Sequence, residues 1–530
     1  MKPSYYRDKF IALQKNAFDR NALSQLARQI ANSFMDHYYQ DSRYDEGYID
    51  LMCQMATSFA DKELSKVVSA AFFSVIIEEL CDDYEDFRFE AYNRVMSQVV
   101  SYCRNVPAGK KIDQYLNRFN LFSADDLFNR AACIHTQDYH FNAEAKAIKW
   151  IYLLSRITIG ADVAILSVMV QRLSNLFPDA KIIILGNLNL REIFGGNPCI
   201  QIQEVAYTRG GGLLERIESW CSAVDLLERE AAASRAGEVL VIDSDSRITQ
   251  LGVLPIISDE NCLYFNSHKD SSSSENACMA EHANAWMDQV FGCGEFCYPK
   301  VWPAPALLNR AETIINSLLQ SGCQRITAVN FGVGGNPRKR LGSGFEKKLI
   351  CELLKQSKTV VILDRGFGAE ELAGSQEIAD EVKSRGYAVC HAEFKQGKIE
   401  NFSHGLLTVE GSIGQISALI GGSDEFIGYD SACQHIAAAM AVPTTTIFAG
   451  SNNPRFVRRW SACGNTSCRI IHVDTLGHPE DVNTDEILSR LMEERSLRPR
   501  KAAPALKIVD CKNGHCQNVN HNDTLKSRTL

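Results

Sequence analysis

Apolar residues recur at spacings of three and four through the first 145 residues. Phe10, Ile11, Leu13 and Phe18 form one such stripe, and Leu23, Leu26, Ile30 and Phe34 form another. That is the spacing of amphipathic helices. Ser123 followed by Asp126 marks a helix start, with Asp125 and Asp126 at the positive end of the helix dipole. No run alternates, so 1–145 predicts a helical bundle. The acidic cluster Glu78, Glu79, Asp82, Asp83, Glu85 and Asp86 fits a solvated helix face most simply, a metal or partner site being the other reading.

From about residue 150 the pattern changes. Short apolar runs at Lys181–Leu185, Ile200–Val205 and Glu238–Ile242 alternate with helical stretches, the first of them Val163–Leu176. Such alternation predicts a doubly wound parallel sheet. Pro299, Pro303 and Pro305 then interrupt both helix and strand and predict a linker. After it the pattern starts again, with strands expected at Ile326–Asn330, Val360–Leu363, Ala388–Cys390, Glu425–Gly428, Thr444–Phe448 and Ile470–Val473. Beyond Arg495 basic residues outnumber acidic ones and the periodicity stops. The expected parts are an all-α domain over 1–145, α/β domains over 146–300 and 301–495, and a flexible basic tail over 496–530.

Composition narrows the class. A chain of 530 residues has room for about three domains. With 45% hydrophobic and 23% charged residues it is neither disordered nor fibrous. A net charge of −8 argues against general nucleic-acid binding, which needs a dominant basic surface. The most apolar run, Val67 to Ile77, is too short to span a bilayer, so no transmembrane segment is expected. The first ten residues hold no apolar signal core. The 18 cysteines are scattered, which fits reduced thiols and a cytoplasmic location.

Two α/β domains joined by a short linker create a cleft at the carboxyl ends of their strands, the usual place for a ligand. Three strand-to-helix junctions fall there. In Gly160-Ala161-Asp162-Val163 the aspartate either caps the helix or serves as a general base. In Phe331-Gly332-Val333-Gly334-Gly335-Asn336-Pro337-Arg338-Lys339-Arg340 the glycines permit close backbone approach and the cations suit a diphosphate; a solvated basic loop is the alternative. In Gly428 through Pro443 a polar turn opens an alanine-rich helix. Amides near Ser431 and Ala432 suit an anion, Asp430 suits hydroxyls, and His435 is a satisfied structural residue or a ligand contact.

The third block resembles the D-S-G-x-x-H-(L/I)-A-A-A-x-G-V-P signature of glycosyltransferase family 9, the heptosyltransferase-like enzymes. Ile159-Gly160-Ala161-Asp162-Val163 is similar to that family's G-D-(V/I) motif, and Phe177-Pro178-Asp179-Ala180 to its F-P-D-A. Arg338-Lys339-Arg340 stands where the family has S-K-R. Ala449-Gly450 through Pro454, then Trp460 and Gly464, resembles its closing F-G-x-T-x-P…W-G. The resemblance covers about residues 155–475.

The resemblance implies a GT-B fold, two Rossmann-like domains facing a cleft, here with an extra all-α domain in front. It implies an inverting transferase that moves a sugar from a nucleotide-diphosphate donor to an acceptor hydroxyl of a glycan, lipid or protein, with no metal and no other cofactor. Asp162 inherits the role of base. Gly332, Gly334, Lys339, Arg340, Asp430, Ser431, Ala432 and His435 form the expected donor site. The N-terminal helices are expected to recruit the acceptor. Ala161 is inserted in its motif and Ala432 stands where the family has glycine. Those departures keep an inactive GT-B scaffold as the second reading, with a nucleotide-sugar epimerase as the third. Asp243-Ser244-Asp245 has the form of a metal-binding D-x-D, but its place after an acceptor-side strand favours a turn. Arg209-Gly210-Gly211-Gly212 reads as a mobile or an ordinary loop. Cys511, His515, Cys516 and His521 in the tail are zinc-ligand types in a spacing that matches no common finger.

Overall fold

Helix Arg20–Asp41 buries Leu23, Leu26, Ala27, Ile30, Ala31, Phe34 and Met35, the stripe its spacing predicts. The computed structural model describes residues 1–15, 19–41, 43–141, 148–232, 234–235, 237–269, 277–477 and 482–496. The expected basic tail, with its Cys511, His515, Cys516 and His521, lies outside the described residues except at Ser496. The helix start read at Ser123 is a reciprocal cap. Ser123 Oγ accepts from the Asp126 N–H at 3.1 Å, and the Asp126 carboxylate accepts from the Ser123 N–H at 2.9 Å.

The N-terminal helices do not close on themselves as a bundle. Their apolar faces continue into one core with Trp220, Cys221 and Val224 of helix Leu213–Ala232, and with Tyr152, Leu154, Ile183 and Leu185 from one face of the first sheet. The reason is that a parallel sheet needs apolar cover on both faces. Val163, Leu166, Met169 and Leu173, together with Met279, Ala283 and Met287 of helix Met279–Phe291, cover the other face.

That first sheet holds β1 (Trp150–Leu154), β2 (Lys181–Gly186), β3 (Ile200–Glu204), β4 (Val239–Asp243) and β5 (Cys262–Tyr264), in the order β3-β2-β1-β4-β5. All pairs are parallel. Residues 292–304 form neither helix nor strand and run along the first domain, Trp302 donating to the Ile193 carbonyl at 2.6 Å. Pro305 then opens helix Pro305–Gln320, where its missing N–H costs nothing.

The second sheet holds β6 (Arg325–Asn330), β7 (Thr359–Asp364), β8 (Val389–Glu393), β9 (Gly405–Glu410), β10 (Glu425–Tyr429), β11 (Thr444–Phe448) and β12 (Cys468–His472). Their order is β12-β11-β10-β6-β7-β9-β8, again parallel throughout. The two sheets, each with helices on both faces, make the two Rossmann-like halves of the expected GT-B architecture. The halves meet at Gly160. A Cβ there would lie 3.2 Å from both Ala432 Cα and His435 Cδ2, so glycine allows the first motif to pack directly on the third.

One expectation about the N-terminal region needs correction. The acidic cluster is not simply a solvated face, because Asp83–Glu85 docks on the second α/β domain. Asn453 donates to the Asp83 carbonyl at 3.0 Å and Arg455 to the Tyr84 carbonyl at 2.6 Å, while Arg455 also pairs with Glu85 at 3.4 Å. A break between helices leaves those carbonyls without helical partners, and polar side chains from helix Pro454–Arg459 and its cap satisfy them.

Candidate functional site

The first junction places Asp162 one turn into a helix, where Asp162–Leu166 winds as a π-helical turn. The side chain is 1% exposed. One carboxylate oxygen accepts from Ser155 Oγ at 2.9 Å and the other from the Arg156 N–H at 2.8 Å. It therefore does not cap its own helix; it ties down the loop that follows β1. Burial pushes its carboxyl up to about 7, against the pull of those two hydrogen bonds and of the Arg156 charge.

Beside it lies the D-x-D segment, which is a turn. Asp243 accepts from the Ser246 N–H at 2.8 Å and from Thr249 Oγ1 at 2.6 Å. Asp245 has φ +64° and is fully buried, paired with Arg156 at 2.7 Å and bonded to the hydroxyls of Tyr264 and Ser267. Burial works to raise its carboxyl, but the Arg156 charge, His268 and those hydroxyls hold it at about 2. Among the described residues no three His, Cys, Asp or Glu side chains are grouped to hold a metal ion. The Arg209–Gly212 loop is anchored to the N-terminal helices, Arg209 pairing with Glu78 at 2.7 Å.

The second junction follows β6. Lys339 forms an ion pair with Asp430, and its ammonium lies 5.5 Å from the Phe456 ring centre. Arg338 is exposed. Arg340 differs from its neighbours: its guanidinium makes two bonds to the buried Glu346, at 2.8 and 2.5 Å. Gly332 donates to Asn330 Oδ1 at 3.2 Å, and Gly334 turns with φ +61°.

The third junction lies across from that loop. Asp430 ends the β10 connection and accepts from Gln434 at 2.7 Å. Ser431 has extended backbone as the cap of helix Ala432–Ala439, and its hydroxyl donates to Asn330 Oδ1 at 3.4 Å and accepts from none of the helix amides. His435 is buried against Trp460, and burial lowers it to about 4 despite Asp430 nearby, so it is neutral. The fold thus brings Lys339, Asp430, Ser431 and Ala432 together, with His435 packed behind them and Asp162 beneath the opposite loop.

A small cavity of about 20 Å³ opens beside this group, lined by Gly332, Arg340, Asp364, Arg365 and Glu371 among others. Sequence reasoning missed Asn330, Asp364 and Glu371. Asn330 donates to Asp364 at 2.7 Å, and burial raises that carboxyl to about 6. The signal available was position: Asn330 and Asp364 are the last residues of two neighbouring parallel strands.

Residues 376–482 match the family model described as Glycosyltransferase family 9 (heptosyltransferase), the family the motifs resemble. The match lies within the second α/β domain. No curated protein matches the chain. Among solved structures the chain is similar to the glycosyl transferase family 9 protein of Veillonella parvula, with TM-score 0.44 and 13% identity, over 68% of this chain and 91% of that one. It is also similar to Escherichia coli ADP-heptose lps heptosyltransferase II, with TM-score 0.42 and 14% identity, over 66% and 100%. A third is E. coli heptosyltransferase WaaC with ADP, with TM-score 0.41 and 12% identity, over 65% and 99%.

Proposed function

We propose that the protein moves a sugar from a nucleotide-diphosphate donor to an acceptor hydroxyl, with inversion and without a metal. The observation that carries this reading is the Lys339–Asp430 pair at the mouth of helix Ala432–Ala439, beside a cavity containing two carboxylates. Lys339 and the amides at Ser431 and Ala432 suit the diphosphate, where a cation and a helix N-terminus stabilise the charge growing on the leaving group. Asp430 suits the hydroxyls of the sugar. Asp364 and Glu371 suit the ribose, since carboxylates accept from vicinal hydroxyls. Gly332 and Gly334 let the loop approach. Arg340, held by Glu346, braces that loop, and neutral His435 supports the helix from behind. The acceptor enters from the side of the N-terminal helices, where Glu78 pairs with Arg209; a protein or peptide acceptor fits this polar surface.

Calorimetric titration with ADP-heptose, UDP-glucose, UDP-N-acetylglucosamine and GDP-mannose tests the reading. Wild-type protein binds at least one of them. Lys339→Ala weakens that binding by about 10- to 100-fold, the effect of losing one charge-assisted contact. Anomeric coupling in the product reads inversion, and an unchanged rate in excess chelator reads metal independence. Failure to bind any of the four overturns the donor assignment.

A further inference from the structure

The N-terminal helices carry a groove that the proposed transfer does not use. It lies between helices Glu46–Thr57, Asp86–Asn105 and Ala124–Thr136 and has a volume of about 510 Å³. Ligand pockets commonly measure about 300–1,000 Å³. The groove stands apart from the donor loop. Helix Asp86–Asn105 docks on the second α/β domain at its Glu85 end, and Ser97 lies about 18 Å further along the helix axis.

The polar groups of the groove are held in place by the protein itself. Tyr44 Oη donates to Gln98 Oε1 at 2.6 Å, and Gln98 Nε2 donates to the Asp50 carboxylate at 2.8 Å and to the Glu46 carbonyl at 3.0 Å. The Tyr44 ring packs T-shaped against the buried Phe34, 5.7 Å between centres. The Arg94 guanidinium lies 5.4 Å from the Tyr44 ring centre and 5.2 Å from that of Phe128, so two aromatic rings fix the cation. Ser97 lines the groove. It is 1% exposed, and its hydroxyl has no hydrogen-bond partner among the described residues. Such a buried unpaired hydroxyl is costly, and a ligand hydroxyl in the groove would satisfy it.

The lining selects a ligand class. Three carboxylates, Glu46, Asp50 and Asp125, accompany one guanidinium, a balance that disfavours a phosphate and so a second donor site. Asp50, Arg94, Asn105 and Asn129 present planar groups, each able to bond two adjacent hydroxyls. Half-buried Tyr102 and Phe128 offer ring surface to the apolar C–H face of a pyranose. A neutral sugar carries both features, hydroxyls on its edge and an apolar face. A cationic peptide would answer the carboxylates but set its charge beside Arg94. We propose that this groove binds a short neutral glycan, at a site separate from the donor site. The inference does not depend on the transferase reading, because binding is read without donor or turnover.

The test uses the full chain with lactose, maltotriose, mannobiose and N,N′-diacetylchitobiose, read by saturation-transfer difference NMR and calorimetric titration. Wild-type protein is expected to bind at least one of them. Phe128→Ala and Asn129→Ala each weaken that binding by about tenfold, whereas Phe128→Tyr, which keeps the ring, stays within about threefold. Asn129 is exposed, so its variant reads the site even where loss of the Phe128 ring unsettles the helix. ADP titrated into these variants gives the wild-type response, because the donor loop is elsewhere. A glycan whose affinity is unchanged in both Phe128→Ala and Asn129→Ala overturns the site. So does wild-type protein that binds none of the four, or that binds the peptide Gly-Lys-Gly-Lys-Gly in their place. Failure of the nucleotide sugars to bind sinks the transferase reading and leaves this inference standing.

Discussion

Asp162 shows how far a single residue can be read from its neighbours in sequence. Its place at a helix start was legible in the Gly-Ala-Asp pattern; its burial was not, because Ser155 and the loop that enclose it depend on the turn taken there. Burial raises its carboxyl from the ordinary 3.8 to about 7. An acid whose value is higher folded than unfolded favours the folded state below about 3.8 and loses that contribution as pH rises through about 7. Asp162→Asn cannot ionise, still accepts from the Arg156 N–H, and can donate to Ser155 Oγ. The melting temperature of this variant relative to wild type is therefore expected to rise from pH 5 to pH 8. Thermal melts across that range check it, and an offset independent of pH would mean that the carboxyl titrates alike folded and unfolded. Lys339 and Asp430 stand at the other extreme. Each sits in a contiguous motif beside a strand end, and the fold brings the two side chains into an ion pair.

At the scale of elements, helices with a polar face and a cap were the most legible. Ser123 and Asp126 make the reciprocal cap their spacing predicts. Ser123→Ala should lower stability by about 1 kcal/mol, read as an earlier loss of helical circular dichroism on heating. Strands were less evenly legible. β1 and β9 went unseen although each pairs on both sides. A strand buried on both faces shows a continuous apolar run such as Trp150–Leu154, and period alone cannot separate that from a buried helix. β5 is three residues long and offers too little pattern to find. The docking of Asp83–Glu85 on helix Pro454–Arg459 was beyond reach for another reason. Its partners are about 370 residues apart, and a main-chain carbonyl that accepts from a distant side chain leaves no trace in the local pattern.

At the scale of the whole molecule, the N-terminal helices are part of the catalytic body and not an appended module. Tyr115 bonds to Asp225, and the Trp220 ring lies 6.0 Å from that of Tyr115. Trp220, Cys221 and Val224 belong to a core whose other half is N-terminal. The apolar spacing predicted a helical bundle over 1–145, because an amphipathic stripe does not say what it will face. The two arrangements differ in what removing those residues does. A chain beginning at residue 146 would expose that core together with the Tyr152 and Leu154 face of the first sheet, a contiguous apolar surface of the kind that drives association. It is expected to aggregate or to bind a hydrophobic dye strongly. Co-expression with residues 1–145 as a separate chain is expected to restore a 1:1 soluble complex, because the missing half of the core is supplied in trans. Size-exclusion chromatography of both preparations checks this. A monodisperse, dye-negative chain from residue 146 would show instead that the helices are an independent domain, and that the contacts at Trp220 are incidental to folding.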